Sequence, residues 1–449
     1  MDKEKQFILN GSLPKVMWQM SWPAVIAMVL YGMNNFLDGI FVGHLINNTA
    51  LAAVGVAYPL AQFVQGFGSL IGMGAGSAVS IWIGADDKEK LNGVLGSVNY
   101  LSILFTILIT IPCFFYAEEL IYMMGGRDEI LVLGAEYFKA TILGSFFWIH
   151  GLALNMIIRA EGRMKTAAWM IAGGLIVDVL LKPLFIETFG WGVSGAAWAT
   201  NISMIIYTVL GIWYYNGEKS SFKSKFWSVK KDKAIIKEIF LLGMPGFIMM
   251  MMIVVQNIVV FNVLAKYGTP ADITFFTSVN RFYILLNTPL WGLMRALQPV
   301  TGMNYGARQY TRCIKAYYLF SVAGLIILLP FWLFVMFDPS GAMSVMIPNT
   351  DFTMSQLRDF RFYMSILPGL SFVFMSMVWF PSIEDVKPAF LITILRQVVL
   401  YIPIMLTVPY FYGVSSIYTA SAVIDWIIFG IVILTVLKSS QRLNYKLTT

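Results

Sequence analysis

Three ionisable side chains and one hydroxyl stand out because they lie within long apolar stretches of the sequence. Asp178 and Lys182 are four residues apart, so on a helix they share one face, with the acid preceding the base in the favourable order. Asp38 and Thr200 lie in two other apolar stretches. An ammonium group between two carboxylates can take the place of a bound sodium ion or proton. We therefore predict that these four residues form a cluster that titrates or rearranges, with a static ion pair as the alternative.

The second half of the chain places more bases than acids within its apolar stretches. Arg281, Arg295 and Arg396 stand against a single acid, Asp425. Arg396 and Asp425 are predicted to be within reach of one another, whereas Arg295 can extend its side chain toward the cytoplasmic surface. This excess of positive charge suits an anionic group on a ligand, and a structural ion pair is the alternative.

Amide side chains in the same stretches form a second set of candidates. Amides within membrane helices usually face the interior of the bundle or a water-filled cavity. Together with Arg281, Arg396 and Asp425, they are expected to line a substrate cavity or a charge network: Asn34, Gln62, Asn257 and Asn280.

These residues must be positioned by helices that cross a membrane. Of the 449 residues, 58% are hydrophobic and only 12% are charged, whereas soluble domains carry about 25% charged residues. A hydrocarbon core of about 30 Å is spanned by about 20 apolar residues. Twelve such segments are predicted, at 16–42, 52–82, 94–117, 133–157, 167–189, 193–214, 239–264, 273–303, 315–337, 360–382, 388–411 and 413–437. The composition thus predicts an all-α polytopic membrane protein and excludes β-barrels, nucleic-acid-binding proteins and secreted disulfide scaffolds.

The distribution of basic residues sets the predicted orientation. Most of the 31 Lys and Arg residues lie in the two tails and in the loops on one side of the membrane. Because basic loops stay in the cytoplasm, both termini are expected to be cytoplasmic. The first apolar segment is too long for the core of a signal peptide, so it is expected to remain in the mature chain.

The sequence contains an internal repeat. Pro23 matches Pro245 at an offset of 222 residues, and the matches continue along both halves. Six helices per half leave the two halves in the same orientation, related by a pseudo-twofold axis along the membrane normal. We predict one six-helix bundle at 1–215, a basic cytoplasmic linker at 216–238 and a second six-helix bundle at 239–449.

Further matches between the halves fall on glycine and proline residues, which affect the backbone of a helix. Gly84 matches Gly306 at the same offset of 222 residues, and Pro183 matches Pro403 with a small slippage. Proline has no backbone N–H, so both prolines are predicted to kink their helices. In the first half, that kink would directly follow Lys182.

Two parallel repeats of membrane helices are one architecture of secondary transporters, whose substrate sites lie between the repeats. The sequence contains no Walker A motif and no Gly-rich nucleotide turn, so transport by ATP hydrolysis is not expected. Neither His44 and His150 nor Cys113 and Cys313 have metal-ligand spacing. We therefore expect no enzymatic activity, no metal site and no cofactor other than a coupling ion.

Several motifs resemble those of the multidrug and toxic compound extrusion (MATE) family, and they extend over nearly the whole chain. They include Asn280-Arg281, Arg396-Gln397 with Pro403, and Asp425, which are similar to a bacterial drug-efflux subgroup. The longer runs are Asp38-Gly-Ile-Phe-Val-Gly43, Arg159-Ala-Glu-Gly162 with Lys165, Gly192-Val-Ser-Gly-Ala-Ala-Trp-Ala-Thr200 and Gln298-Pro-Val-Thr-Gly-Met-Asn-Tyr-Gly-Ala307. The resemblance implies a V-shaped pair of bundles in a bacterial cell membrane, which exchanges cytoplasmic organic cations for external sodium ions or protons by alternating access.

The resemblance also implies roles for individual residues. Asp38 and Thr200 fall on positions that help bind the coupling cation in the family. Where the family usually has Asn and then Asp four residues later, this chain has Asp178 and Lys182. A positive charge at a ligand position should repel sodium, so we expect Lys182 to act as a tethered cation and favour protons over sodium as the coupling ion.

Two other functions are also compatible with the sequence. Lipid-linked oligosaccharide flippases belong to the same superfamily, and in such a protein Arg281, Arg295 and Arg396 would hold a diphosphate. A channel or a scaffold is a weaker alternative. We expect the chain to be a monomer in the lipid bilayer, with a small organic cation as its ligand and no nucleic-acid partner.

Overall fold

The computed structural model describes residues 3–217, 220–222, 228–345 and 351–448. Within these ranges every regular element is a helix, which confirms the all-α class. The α-helices are α1 (Lys3–Asn10), α2 (Leu13–Leu45), α3 (Asn48–Ala85), α4 (Lys88–Phe115), α5 (Ala117–Met123), α6 (Asp128–Leu143), α7 (Ser145–Ala160), α8 (Met164–Pro183), α9 (Gly192–Asn216), α10 (Lys233–Tyr267), α11 (Pro270–Gly306), α12 (Tyr310–Phe337), α13 (Pro339–Ser344), α14 (Met354–Met364), α15 (Leu367–Ser382), α16 (Val386–Ile394), α17 (Ile402–Tyr412) and α18 (Ser416–Thr448). Two π-helical segments, Leu184–Thr188 and Leu395–Tyr401, follow α8 and α16.

The twelve predicted spans correspond to these helices. In the described part of the chain, ten helical stretches are long and apolar enough to cross a membrane, and the bent pair of α6 and α7 adds an eleventh. The remaining predicted span, 273–303, lies within α11, which has 37 residues but carries several polar ones. The two longest helices, α3 with 38 residues and α11 with 37, extend well beyond the roughly 20 residues that span a hydrocarbon core.

The fourth predicted span is broken at Gly144. The side-chain amide of Asn201 donates a hydrogen bond to the Ala140 carbonyl at 2.8 Å, and so occupies the acceptor that the Gly144 N–H would use in a continuous helix. The Gly144 N–H instead donates to the Thr141 carbonyl at 3.1 Å. A Cβ atom at Gly144 would lie 2.2 Å from the Asn201 side chain. The inserted amide accounts for the bend of 53° between α6 and α7.

A change of helix type occurs at each of the two matched prolines. Pro183 is the last residue of α8 and precedes the first π-helical segment, whereas Pro403 is the second residue of α17 and follows the other one. Proline removes one N–H from the hydrogen-bond ladder, and a wider π turn is a common way to accommodate the break. The first π segment begins two residues after Lys182.

The two halves are separated between α9 and α10. Helix α9 ends at Asn216, and α10 begins at Lys233 with its first turn capped by the Asp232 carboxylate, which accepts a hydrogen bond from the Ala234 N–H at 3.1 Å. Of the predicted linker 216–238, residues 218–219 and 223–227 lie outside the described residues.

One buried acid holds the described part of the linker against the first half. Glu161, between α7 and α8, is fully buried and accepts hydrogen bonds from the Tyr214 and Tyr215 hydroxyls at 3.0 and 2.9 Å. It also accepts one from the Ser221 N–H at 2.6 Å. Burial raises the pKa of Glu161 above its ordinary value of 4.5.

Helix α3 of the first half crosses α11 of the second half near the predicted cytoplasmic end. A Cβ atom at Gly84 would lie 2.2 Å from the Met303 carbonyl oxygen, and one at Gly306 would lie 2.0 Å from the Ile81 carbonyl oxygen. The two contacts are related by the offset of the sequence repeat, so the crossing is itself pseudo-symmetric. Both positions require glycine because the opposing atoms belong to the backbone and cannot change rotamer.

A short helix that the hydropathy pattern does not predict, α1, contacts both halves at the same end. Lys5 forms an ion pair with Asp86 of the first half at 2.6 Å. The Arg312 guanidinium of α12, in the second half, donates to the Ile8 and Gly11 carbonyls at 2.9 Å each. Helix α1 therefore joins the halves at their predicted cytoplasmic ends.

Candidate functional site

The charged cluster of the first half is formed where α2 packs against α8. Asp178 and Lys182 lie one turn apart on α8, and Asp38 lies on α2. The Lys182 ammonium donates hydrogen bonds to Asp38 Oδ1 and to Asp178 Oδ2. Asn34, one turn before Asp38, donates to the same Asp178 oxygen at 2.9 Å. The structure thus brings together three of the predicted charges and one of the predicted amides.

The three charges differ in their access to water. The side chains of Asp178 and Lys182 are 1% and 2% exposed, whereas that of Asp38 is 32% exposed. Two acceptor oxygens beside them, Asp178 Oδ1 and Asn34 Oδ1, are buried without a hydrogen-bond partner. The arrangement can therefore exchange a proton with water through Asp38, while Asp178 keeps Lys182 in place.

In the described part of the chain, the other two polar residues predicted for the first half, Thr200 and Gln62, bond to groups outside this cluster. The Thr200 hydroxyl donates to the Ala196 carbonyl of its own helix at 3.2 Å, and in the described part of the chain no hydrogen bond joins it to the three charges. Gln62 donates to the Tyr58 hydroxyl. Contact between Thr200 and the carboxylates is thus not seen in this conformation.

Three tyrosines near Asp38 were not predicted from the sequence. Tyr31, Tyr58 and Tyr137 lie within electrostatic range of the Asp38 carboxylate, and Tyr31 also accepts a hydrogen bond from Gln65 at 3.0 Å. Tyr31 lies two turns before Asp38 on α2, and this spacing of seven residues is a signal that was available in the sequence. The other two come from α3 and α6, and their proximity depends on how these helices pack.

The second half contains the predicted salt bridge between Arg396 and Asp425. The Nε and Nη2 atoms of Arg396 each lie 2.8 Å from Asp425 Oδ1. Arg396 lies in the second π-helical segment, and Asp425 lies on α18. The phenol groups of Tyr283 and Tyr401 lie within electrostatic range of the pair. The pair joins two helices of one bundle.

The remaining predicted residues have few protein contacts. Arg281 on α11 and Asn257 on α10 are exposed, and Asn280 is half-buried. Within the described ranges, none of these three side chains makes a hydrogen bond or an ion pair. Charged side chains within membrane helices usually face the bundle interior or a water-filled cavity, so Arg281 stays a candidate for the predicted substrate cavity.

Comparison with known proteins places this arrangement in a family. The MatE family model matches the chain twice, at residues 23–184 and 245–407. The matches begin at Pro23 and Pro245, the prolines that the internal repeat pairs. The Multidrug export protein MepA of Staphylococcus aureus (strain NCTC 8325 / PS 47) is 26% identical over 314 residues, which are 69% of this chain and 68% of that protein.

Solved structures share the fold over the whole chain. A crystal structure of MATE in the bent conformation has a TM-score of 0.92 at 24% identity and covers 100% of both chains. A multidrug resistance MATE family transporter of the MOP superfamily, in an outward-facing conformation, has a TM-score of 0.89 at 24% identity and covers 99% of both chains. These comparisons confirm the prediction of twelve membrane helices in two bundles and the resemblance on which it partly depended. The chain belongs to the MatE family of membrane transporters.

Proposed function

We propose that the chain is a secondary antiporter that exports organic cations or drugs from the cytoplasm in exchange for protons. Family membership supports transport, and the name of the staphylococcal relative supports drugs as the class of cargo. The preference for protons depends on the geometry of the cluster between α2 and α8.

The observation that carries the proposal is the position of the Lys182 ammonium between Asp38 and Asp178. A sodium ion at this position would have to displace a tethered cation from two carboxylates, in a site where little water is present to screen the repulsion. A proton can instead bind to one carboxylate without displacing the ammonium. The site therefore favours proton coupling.

Asp38 is the group that we expect to exchange the proton. It is the most exposed of the three charges, and it is the only one that α2 contributes. Protonation would weaken its bond to Lys182, which keeps its second partner, Asp178. Release of this bond would free α2 from α8 and provide a link between proton binding and helix movement.

We further propose that the protein acts as a monomer in a bacterial cell membrane with both termini in the cytoplasm. The basic tails and loops support this orientation. Labelling of single cysteines at either end with a membrane-impermeant thiol reagent would test it, after replacement of Cys113 and Cys313.

Efflux of a fluorescent organic cation from proteoliposomes tests the main proposal. A proton gradient, a sodium gradient and no gradient are imposed separately. Efflux driven by the proton gradient alone is expected. Efflux driven by sodium alone would contradict proton coupling, and absence of efflux under every condition would contradict the export of organic cations.

A second candidate function is the translocation of an anionic or lipid-linked substrate. The exposed, unpartnered Arg281 guanidinium favours it, because a fixed positive charge on a membrane helix attracts anions and repels cations. Transfer of a fluorescent lipid-linked diphosphate across the same proteoliposome membrane, measured with and without Arg281→Gln, would separate the two functions. Arg281-dependent transfer without cation efflux would favour this candidate.

A further inference from the structure

Helix α1 is attached to the first half by two ion pairs and by the chain itself. The Glu4 carboxylate pairs at 3.2 Å with Arg163, in the turn between α7 and α8. The buried Lys5 ammonium pairs at 2.6 Å with Asp86, directly after α3. Only residues 11 and 12 separate α1 from α2, which belongs to the first half. Helix α1 must therefore follow the first half when the halves move apart.

Among the described residues, the polar contact of α1 with the second half is made by one guanidinium. Arg312 of α12 donates to the Ile8 and Gly11 carbonyls at 2.9 Å each. Its Nε atom donates to the Oδ1 atom of Asn304, on α11, at 3.0 Å. The last carbonyls of a helix lack a partner within that helix, and a positive charge beside them interacts favourably with the helix dipole. Arg312 therefore caps α1 across the boundary between the halves.

Other contacts that join the halves at this end differ from α1 in one respect. One is the crossing at Gly84 and Gly306. In another, the Glu238 carboxylate of α10 accepts hydrogen bonds from Trp82 Nε1 at 3.0 Å and from the Lys90 ammonium at 3.1 Å. Each of these contacts joins groups that face each other directly. Helix α1 instead belongs to one half and reaches a residue of the other, so it has to undock when the two ends separate.

We propose that α1 is a strap that holds the halves together at their predicted cytoplasmic ends, and that it must leave Arg312 before those ends separate. This role rests on the alternating access of the proposed antiporter, in which the interior opens to each side of the membrane in turn. A docked α1 favours the state that is closed to the cytoplasm. The strap is thus an inhibitory contact that limits the access of cargo from the cytoplasm to the interior.

The chemistry of the contact makes it reversible. The partners of the guanidinium in the strap are main-chain carbonyls rather than carboxylates. Ile8 and Gly11 precede the first predicted span, 16–42, so water can bond to their carbonyls once Arg312 has left. Release therefore exchanges hydrogen bonds within the protein for hydrogen bonds to water, and only the net difference opposes opening. A difference of this kind biases a two-state equilibrium without locking it.

Distances between spin labels in the purified full-length protein test the strap. Labels are attached to Glu89→Cys on α4 and Lys315→Cys on α12, two exposed positions near this end, after replacement of Cys113 and Cys313. We expect Arg312→Gln to raise the ratio of long to short distances about tenfold, because charge-assisted hydrogen bonds are lost from the closed state. Arg312→Lys keeps a cation with N–H donors, so it should raise the ratio less.

Arg308→Gln is the matched control. Arg308 is exposed, lies four residues before Arg312 and makes no hydrogen bond or ion pair with a described residue, so its replacement should leave the ratio unchanged. An unchanged ratio in Arg312→Gln, or an equal rise in both Gln variants, would overturn the strap. The distances are measured without cargo or a gradient. Normal proton-driven efflux with an unchanged ratio would therefore contradict the strap alone, and absent efflux with the expected ratio would contradict the proposed export alone.

A second measurement leaves Arg312 intact. A label at Gln6→Cys, an exposed position on α1, is paired in turn with Glu89→Cys and with Lys315→Cys. The distance from α1 to the first half should stay short. The distance from α1 to the second half should have the same long fraction as the distance between the halves. If that distance stays short while the halves separate, α1 is not a strap.

Discussion

The Met303 carbonyl oxygen lies so close to Gly84 that a Cβ atom on that glycine would be only 2.2 Å away. Because Gly306 has the same relationship to Ile81, two backbone contacts fix the crossing of α3 and α11. Both contacts join one half of the protein to the other. Under the alternating access that we propose, the halves would have to separate at this end, and the stability of the crossing would determine how readily they do so.

Alanine at Gly84 or Gly306 is expected to push the predicted cytoplasmic ends apart. A small-to-large change in a packed contact costs about 1–3 kcal/mol, which is sufficient to move a two-state equilibrium about tenfold. Distances between spin labels on the two halves at this end should shift toward longer values. Gly55→Ala is the matched control, since Gly55 lies on the same helix with nothing within 4 Å. Identical distance distributions for Gly84→Ala and Gly55→Ala would refute the prediction.

Replacement of Lys182 by alanine is expected to change the coupling ion. The variant leaves Asp38 and Asp178 facing an empty site, where a sodium ion can bind in place of the ammonium. Proton-driven efflux should be abolished, or sodium dependence should appear, in the proteoliposome assay. The exposed Lys139, which pairs with Glu118 at 2.8 Å, provides the control Lys139→Ala. Normal proton coupling in Lys182→Ala would show that the cluster is a static ion pair.

The pair of Arg396 and Asp425 is expected to contribute to stability mainly by keeping each charge compensated. Alanine at either position leaves the other charge without a partner, and we expect a loss of about 2–4 kcal/mol in the free energy of unfolding. The double variant should lose less than the sum of the two single variants. Unfolding in a denaturing detergent measures the free energy of unfolding of the two single variants and of the double variant. The exposed pair of Lys139 and Glu118 should show a coupling below about 1 kcal/mol, and an equally small coupling for Arg396 and Asp425 would contradict this prediction.

The buried Glu161 is expected to make stability dependent on pH. Because burial raises its pKa above 4.5, the folded chain holds this proton more tightly than the unfolded chain. The contribution to stability is therefore complete below pH 4.5 and declines as the pH rises through the raised pKa. Melting temperatures between about pH 4 and pH 8 should show this decline in the wild type and not in Glu161→Gln. Glu118→Gln, at an exposed position, should retain it, and a decline that persists in Glu161→Gln would assign the effect to another group.

The sequence predicted those features that depend on local composition. Runs of apolar residues indicated the spans, and the spacing of Asp178 and Lys182 indicated that both face one side of a helix. The break at Gly144 was not predictable, because its cause is an amide contributed by Asn201, 57 positions further along the chain. Helix α1 was missed because it is only 8 residues long and too polar for a hydropathy signal.

The same distinction applies to the candidate site. Asp38 could be recognised as an unusual charge and was predicted to cluster with Asp178 and Lys182, but its bond to Lys182 depends on the packing of α2 against α8, which the sequence alone does not reveal. Arg159 was visible only as part of a motif at the end of a span. Its burial arises from the packing of α7 against other helices, which no spacing within one helix reveals.

The contacts of α1 also set an order for the biosynthesis of the protein. Ile8 is synthesised long before Arg312, yet its carbonyl accepts a hydrogen bond from that guanidinium, which lies 304 residues later in the chain. Lys5 can pair with Asp86 as soon as the first half is made, but the contact of α1 with the second half can form only after α12 has been synthesised. A nascent chain that ends before Arg312 lacks this partner, so the contacts of α1 with the two halves form at different stages of synthesis.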